Sequence, residues 1–267
     1  MPEISALHVY PIKSCRGLDL KAVRFDLRGP LYDRRFMLVG ETGAFLTQRE
    51  LPRMALIEPR LGPTALQISA PGMPLLKVPM TQRDAKRLEI SLWKHAGPAE
   101  DAGESAADWF SSFLEHRCRL VRFPEDALRP VSKSHTELEA QVAFSDGYPA
   151  LLLSEASLAD LNGRLKSSLP MNRFRPNIVV KGCEPFEEDR WKRIRVGDLV
   201  LDVVKPCARC AITTVDQITG KAMGPEPLAT LATFRKQDKG VMFGQNVVHH
   251  GLGSLRVGDA VEVLESA

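Results

Sequence analysis

Over about the first hundred residues the apolar positions come in short runs: SALHVYPI, LKAVRFDL, FMLVG, MALIEPRL, TALQIS and LEISLW. Turn-forming residues separate them, a spacing that predicts the strands of an antiparallel barrel or sandwich. GETGAFLTQ, residues 40–48, carries a hairpin signal within this series. Two stretches change period. From Ser105 to His116 the apolar residues Trp109, Phe110, Phe113 and Leu114 fall on one helical face, with Ser105 and Asp108 as a capping pair. A second helix is predicted from near Ser154, with Leu158, Leu161 and Leu165 as its stripe. Both read as structural helices facing a core.

Between them, residues 123–150 are polar and irregular, a stretch that is either a domain junction near residue 122 or a long functional loop. The junction divides the chain into residues 1–121 and 122–267. Strand patterns resume in PNIVVKG, RIRVGDLVLDVV, AITTVD, FGQNVVHH and SLRVGDAVEVLE. IRVGDLVLDV and LRVGDAVEVL echo one another and predict two equivalent hairpin corners of one barrel.

With 267 residues and 44% hydrophobic content, the chain can bury a sizeable core without staples. Its 36 basic and 33 acidic residues leave a net charge of only +3, so no nucleic-acid or membrane surface is indicated. Any anion site must come from local clustering. The five cysteines, at 15, 118, 183, 207 and 210, are odd in number and irregularly spaced. No apolar leader precedes them and no window reaches membrane-spanning length, which leads to the expectation of a soluble protein in a reducing, cytoplasmic setting.

Cys207 and Cys210 form a C-x-x-C pair in KPCARCAITTVDQITG. A closed zinc site needs a second pair of ligands, and His249 and His250, adjacent on a strand, supply one at most. Dithiol redox centres place the first cysteine before a helix, whereas AITTV favours a strand followed by a turn. The third reading is one thiolate stabilised by the neighbouring Arg209, and spacing alone gives it no advantage over a buried small hydrophobe beside a surface arginine. Basic residues cluster at three predicted strand ends: Lys13, Ser14 and Arg16 in YPIKSCRG, Arg34 and Arg35 in YDRRFMLV, and Arg173, Arg175 and Asn177 in NRFRPNIVV. Such groups suit a phosphate or another oxyanion. Dinucleotide, P-loop and nucleophile-elbow signatures are absent from the sequence, and the serines of DGYPALLLSEASL look like helix caps.

YPIKSCRG, YDRRFMLV, LTQRELPRMALI, LLLSEASLADLN, FRPNIVV, CARCAITTVDQITG, FGQN and SLRVGDAVEVL occur in the order found in MOSC proteins. Within that group the chain resembles the mitochondrial amidoxime-reducing component and its bacterial relatives. The resemblance implies an α+β, mainly β fold: an N-terminal β-barrel domain and a C-terminal MOSC domain, itself barrel-like with a few helices. It further implies a molybdenum cofactor held between them. Carried over by motif, Cys210 is the molybdenum ligand, Lys13, Ser14 and Arg35 contact the pyranopterin and its phosphate, and Arg175, Asn177 and Arg209 line the same cleft. Cys207 is not required by the pattern, and Ala208 replaces a serine often found there.

The implied activity is reduction of N-hydroxylated compounds to amine or amidine plus water, with Asp146 or Asp216 as candidate acids if they are not simply turn residues. The cysteine count leaves none for an iron-sulfur centre, so electrons are expected from a separate flavin or iron-sulfur protein. The rival expectation is a non-catalytic carrier of cofactor or of persulfide sulfur on Cys210.

Overall fold

The sheet that organises the C-terminal half begins with the N-terminus of the chain. In the computed structural model, which describes residues 1–82 and 84–267, nine strands form this sheet. Eight of them run in the order Leu18–Leu20, Glu3–Val9, Ile178–Lys181, Ala150–Ser154, Gly240–His249, Leu199–Ala208, Trp191–Val196, Val261–Ser266. A register shift between Ile4 and Ala6 interrupts strict alternation in the first strand and lets Ile4, Leu7 and Val9 all reach one core. They pack there with Val23, Phe25, Leu152, Val180, Ile194 and Leu201. Gly244 is held at φ +78°, where an added Cβ would stand 2.9 Å from the Leu152 carbonyl, so only glycine fits FGQN to its neighbouring strand.

The rest of the N-terminal half curls as a half-barrel of small sheets. Four strands, Phe36–Val39, Arg119–Arg122, His95–Asp101 and Arg87–Leu92, form one sheet, and Glu58–Leu61, Ala65–Ser69 and Leu76–Pro79 form another. The helix Glu104–Leu114 plugs this half with Trp109, Phe110, Phe113 and Leu114, against Ile12, Leu38, Met54 and Leu66. With only three α-helices among the described residues, the mainly β, α+β expectation holds.

Several local expectations need correction. The first helix is preceded by Gly103 at φ +94° with no side-chain cap, so Ser105 lies inside the first turn. The second, Glu155–Arg164, is capped as the sequence suggests, with Ser154 Oγ accepting from the Ser157 amide at 3.0 Å. The segment after Cys210 is not a strand but a 3₁₀ turn, Ala211–Thr214. The Thr213 amide and hydroxyl both donate to the Cys210 carbonyl, and the Thr214 hydroxyl donates to that of Ala211. These local bonds override the strand preference of a β-branched run. Of the two echoed segments, Trp191–Val196 and Leu199–Ala208 do pair as a hairpin, but Gly253–Arg256 pairs with Ala22–Asp26 while Val261–Ser266 pairs with Trp191–Val196. Equivalent sequences therefore occupy different corners.

Residues 123–149 form no regular strand, only a bridge between Pro130 and Gln141. They are nonetheless fixed. Ala143 and Phe144 enter the core with Met37, Val39 and Val121, and the buried Arg129 guanidinium donates to the carbonyls of Ala143, Ser145 and Asp146. This loop forms one wall of the cleft described next.

Candidate functional site

One cleft gathers Lys13, Ser14, Arg34, Arg49 and Trp93 from the N-terminal half with Asp146, Phe174, Arg175, Asn177, Cys207, Arg209 and Cys210 from the rest. Of the residues expected at a site, Lys13, Ser14, Arg175, Asn177, Arg209 and Cys210 all line it, whereas Arg35 does not. Adjacent residues entering a strand project to opposite sides. Arg35 turns away and binds both carboxylate oxygens of Asp26 at 2.6 Å, leaving Arg34 to face the cleft.

Three lining residues, Ser14 (φ +65°), Arg34 (φ +46°) and Arg175 (φ +56°), hold left-handed backbone conformations that side-chain-bearing residues rarely adopt. Such geometry costs about 1 kcal/mol or more per residue and persists where surrounding contacts impose it. The Ser14 carbonyl accepts from Gln48 Nε2, while for the two arginines the contacts converge on Tyr10. The Arg175 and Arg34 guanidinium groups lie 4.2 and 4.6 Å from its ring centroid, and its hydroxyl donates to the Pro176 carbonyl at 3.0 Å. Burial pushes the Tyr10 pKa up to about 12 despite both arginines.

Beneath them lies a saturated network. Buried Asp33 accepts from the Tyr10 amide, Arg34 Nη1 and Asn177 Nδ2. Asn177 Oδ1 accepts from Arg34 Nη1 and the Leu151 amide, and Nδ2 also donates to the His8 carbonyl. With its amide fully engaged, Asn177 positions Arg34 rather than offering a free group to a ligand. Burial opposes the charge on Arg34, but Asp33, with Tyr10 and Asp146, raises its pKa on balance.

Lys13 is 6% exposed, and its ammonium donates to the Phe144 carbonyl at 2.9 Å and to Asp146 Oδ1 at 2.5 Å. Burial lowers the Lys13 pKa, with Asp146 opposing. Desolvation likewise works against the Asp146 carboxylate, yet the Lys13 charge and the hydrogen bonds from Lys13 and Trp93 hold its pKa well below the usual range. Arg175 Nη1 donates to the Cys15 carbonyl at 2.7 Å, and burial brings its pKa down to about 10. Arg209 Nη2 donates to the Phe174 carbonyl at 2.6 Å, while Nη1 reaches Cys207 Sγ at 3.1 Å. The arginine expected to serve Cys210 is thus bonded to the other thiol of the pair.

Cys210 itself is exposed, at the head of the 3₁₀ turn. That turn and the hairpin after it are fixed from three sides. Arg173 Nε donates to the Thr213 carbonyl at 2.8 Å, Arg16 Nη2 to that of Gln217 at 2.7 Å, and Gln48 and Gln217 exchange amide hydrogen bonds in the interior. Gly220, at φ +63°, closes the following hairpin against Leu56, whose Cγ an added Cβ would approach to 2.9 Å. Asp216 Oδ1 accepts from the Ile218 and Thr219 amides and the Thr219 hydroxyl, a turn role; the Thr219 backbone bond is the chief cause of its lowered pKa. Asp146 and Asp216 are both held ionised, so neither suits the role of acid.

Among the described residues five cations line the cleft against one carboxylate, Asp146. Five buried side-chain nitrogens among the described residues lack a hydrogen-bond partner, and two of them, Arg175 Nη2 and Arg209 Nε, belong to arginines that line the cleft. Charged donors buried without acceptors are costly, so the surroundings fit an anionic ligand rich in acceptor atoms, and Cys210 adds one accessible sulfur. Among the described residues no group of three or more His, Cys, Asp or Glu converges as a metal site. Sequence reasoning missed Arg49 and Trp93. Arg49 lies 4.7 Å over the Trp93 ring, a contact between residues far apart in sequence that no periodicity reveals.

Residues 1–117 match the MOSC N-terminal beta barrel domain and residues 139–262 match the MOSC domain. The chain is 40% identical to mitochondrial amidoxime-reducing component 1 of Mus musculus, over 98% of this chain and 82% of that protein. It is 38% identical to mitochondrial amidoxime reducing component 2 of Rattus norvegicus, over 97% and 82%. For component 1 of Homo sapiens the identity is 36%, over 98% and 82%. The chain belongs to the family of the amidoxime-reducing components.

The cytoplasmic expectation is overturned here, because these relatives are named as mitochondrial. Unpaired thiols indicate a reducing environment, and more than one compartment provides one. No helix among the described residues is long and apolar enough to cross a membrane.

Proposed function

We propose that the protein reduces N-hydroxylated compounds at a molybdenum cofactor held in this cleft, drawing electrons from a separate flavin or iron-sulfur protein. The carrying observation is one cleft lined by an exposed Cys210 and by Arg175 and Arg209, whose buried Nη2 and Nε have no hydrogen-bond partner among the described residues. The names of the relatives support the reaction class. When bound, the molybdenum pterin supplies the two-electron exchange and the oxygen acceptance that N–O cleavage requires.

The residues divide the remaining work. Cys210 anchors the metal from a turn whose position its own carbonyl sets through Thr213. Lys13, Ser14, Arg34, Arg175 and Arg209 bind and orient the anionic portion, with Arg34 taking the part expected of Arg35. Asn177 and Asp33 hold Arg34 in place. Since both aspartates are ionised, protons come from Lys13 Nζ or from water entering past Asp146. A domain boundary near residue 122 agrees with the gap between the matched segments, 1–117 and 139–262.

The carrier alternative relied on Arg209 beside Cys210, and the contact with Cys207 removes that support. Elemental analysis tests the proposal. Purified protein is expected to carry molybdenum, lost in Cys210→Ser and retained in Cys207→Ser, and to reduce benzamidoxime with an artificial electron donor. Zinc dependent on both cysteines, or molybdenum-loaded protein inert towards every N-hydroxylated compound tried, would overturn it.

A further inference from the structure

Trp93 is an exposed aromatic side chain at the cleft. It is 52% exposed, whereas the chain's other tryptophans, Trp109 and Trp191, are buried. It sits between the paired strands Arg87–Leu92 and His95–Asp101 with φ +57°. Three contacts hold it in this uncommon conformation. Indole Nε1 donates to Asp146 Oδ1 at 3.0 Å, the Phe45 ring lies 4.8 Å away, and the Arg49 guanidinium lies 4.7 Å over the ring. An amphipathic ring anchored by its polar edge and left half open has the form of a stacking platform.

Beside it, Asp146 Oδ1 is shared between Lys13 and Trp93, while Oδ2 accepts nothing among the described residues. The Asp146 side chain is 73% exposed, so this oxygen is available at the mouth of the cleft. Arg129 fixes the backbone that carries it. A flat π surface next to a single ionised acceptor favours a ligand that is planar, conjugated and bears N–H donors along one edge. Amidines, guanidines and their N-hydroxylated forms meet all three conditions; an aliphatic hydroxylamine offers the edge without the plane.

We propose that Trp93 and Asp146 form the substrate-selecting end of the cleft and favour planar, conjugated N–H donors of the amidine type over aliphatic hydroxylamines. This specificity rests on the reductase reading, but the platform itself can be tested without turnover. Trp93 is the exposed fluorophore, and benzamidine is the flat N–H donor to use as a probe.

Saturable quenching of the native fluorescence by benzamidine is expected, and its loss in Trp93→Ala. In molybdenum-loaded protein, the ratio of kcat/KM for benzamidoxime to that for N-methylhydroxylamine should fall about tenfold in Trp93→Ala, the scale of one lost stacking contact. Trp93→Phe, which keeps the plane without the indole N–H, should retain most of the ratio. An unchanged ratio in Trp93→Ala, or quenching that persists in it, overturns the proposal. Should loaded protein reduce neither compound, the reductase reading fails, and the quenching experiment still decides whether Trp93 is a binding platform.

Discussion

His249 ends its strand edge-on to Phe25, ring centroids 5.4 Å apart, with Nδ1 donating to the Gly251 carbonyl at 2.7 Å and Nε2 buried without a partner among the described residues. Burial lowers its pKa, the Gly251 bond opposing. An unfolded histidine titrates near about 6.5, so folding is favoured fully above that pH, and stability is lost as the pH falls towards the depressed folded value. Each unit of depression is worth about 1.4 kcal/mol. Thermal melts from about pH 7.5 to 5.5 should show a fall in melting temperature that His249→Phe reduces; equal slopes in the two proteins would refute this. At this scale the convergence of Lys13 and Arg175 on one cleft was legible from basic residues at predicted strand ends, whereas Cys210 was singled out only by the family resemblance. Arg34 and Arg35 could not be told apart, because the choice depends on Asp33 and Asp26, each fixed only in the folded protein.

The second helix shows what an element reveals of itself. Its cap was readable in LLLSEASL because Ser154 meets its acceptor and donor groups within one turn. Its other partner was not. Buried Glu188 accepts from the Ser154 amide and from the hydroxyls of Ser154 and Ser157, tying the helix start to a turn more than thirty residues onward. Removing the Ser154 hydroxyl takes away both the cap and a donor to a buried carboxylate. Ser154→Ala should therefore cost about 2 kcal/mol, above the roughly 1 kcal/mol of an ordinary cap, in urea denaturation. A loss below about 0.5 kcal/mol would mean that the Glu188 contact adds nothing. The turn after Cys210 was misread for the complementary reason. Thr213 and Thr214 are strand formers by composition, but their hydroxyls find carbonyls three residues back.

For the molecule as a whole, the mainly β architecture was visible in the sequence, since it depends on local runs. The interleaving of the halves was not, because pairing partners leave no trace in periodicity. Glu3–Val9 lies inside the large sheet, between Leu18–Leu20 and Ile178–Lys181. A fragment of residues 122–267 would lack it and expose the Ile178–Lys181 edge. That fragment alone should show no cooperative melt by circular dichroism, and co-expression with residues 1–121 should restore one. A cooperative transition in the isolated fragment would show that the interior strand is dispensable. The same placement orders events during synthesis. Ile4, Leu7 and Val9 are made about 170 residues ahead of Ile178, Val180 and Lys181, which must emerge before their ladder can close. At a rate of about 5–20 residues per second, the apolar N-terminal segment waits roughly ten seconds or more for its partner. Nascent chains of this protein should therefore depend on chaperones that shield an unpaired strand, and slowed translation before residue 178 should raise the aggregated fraction.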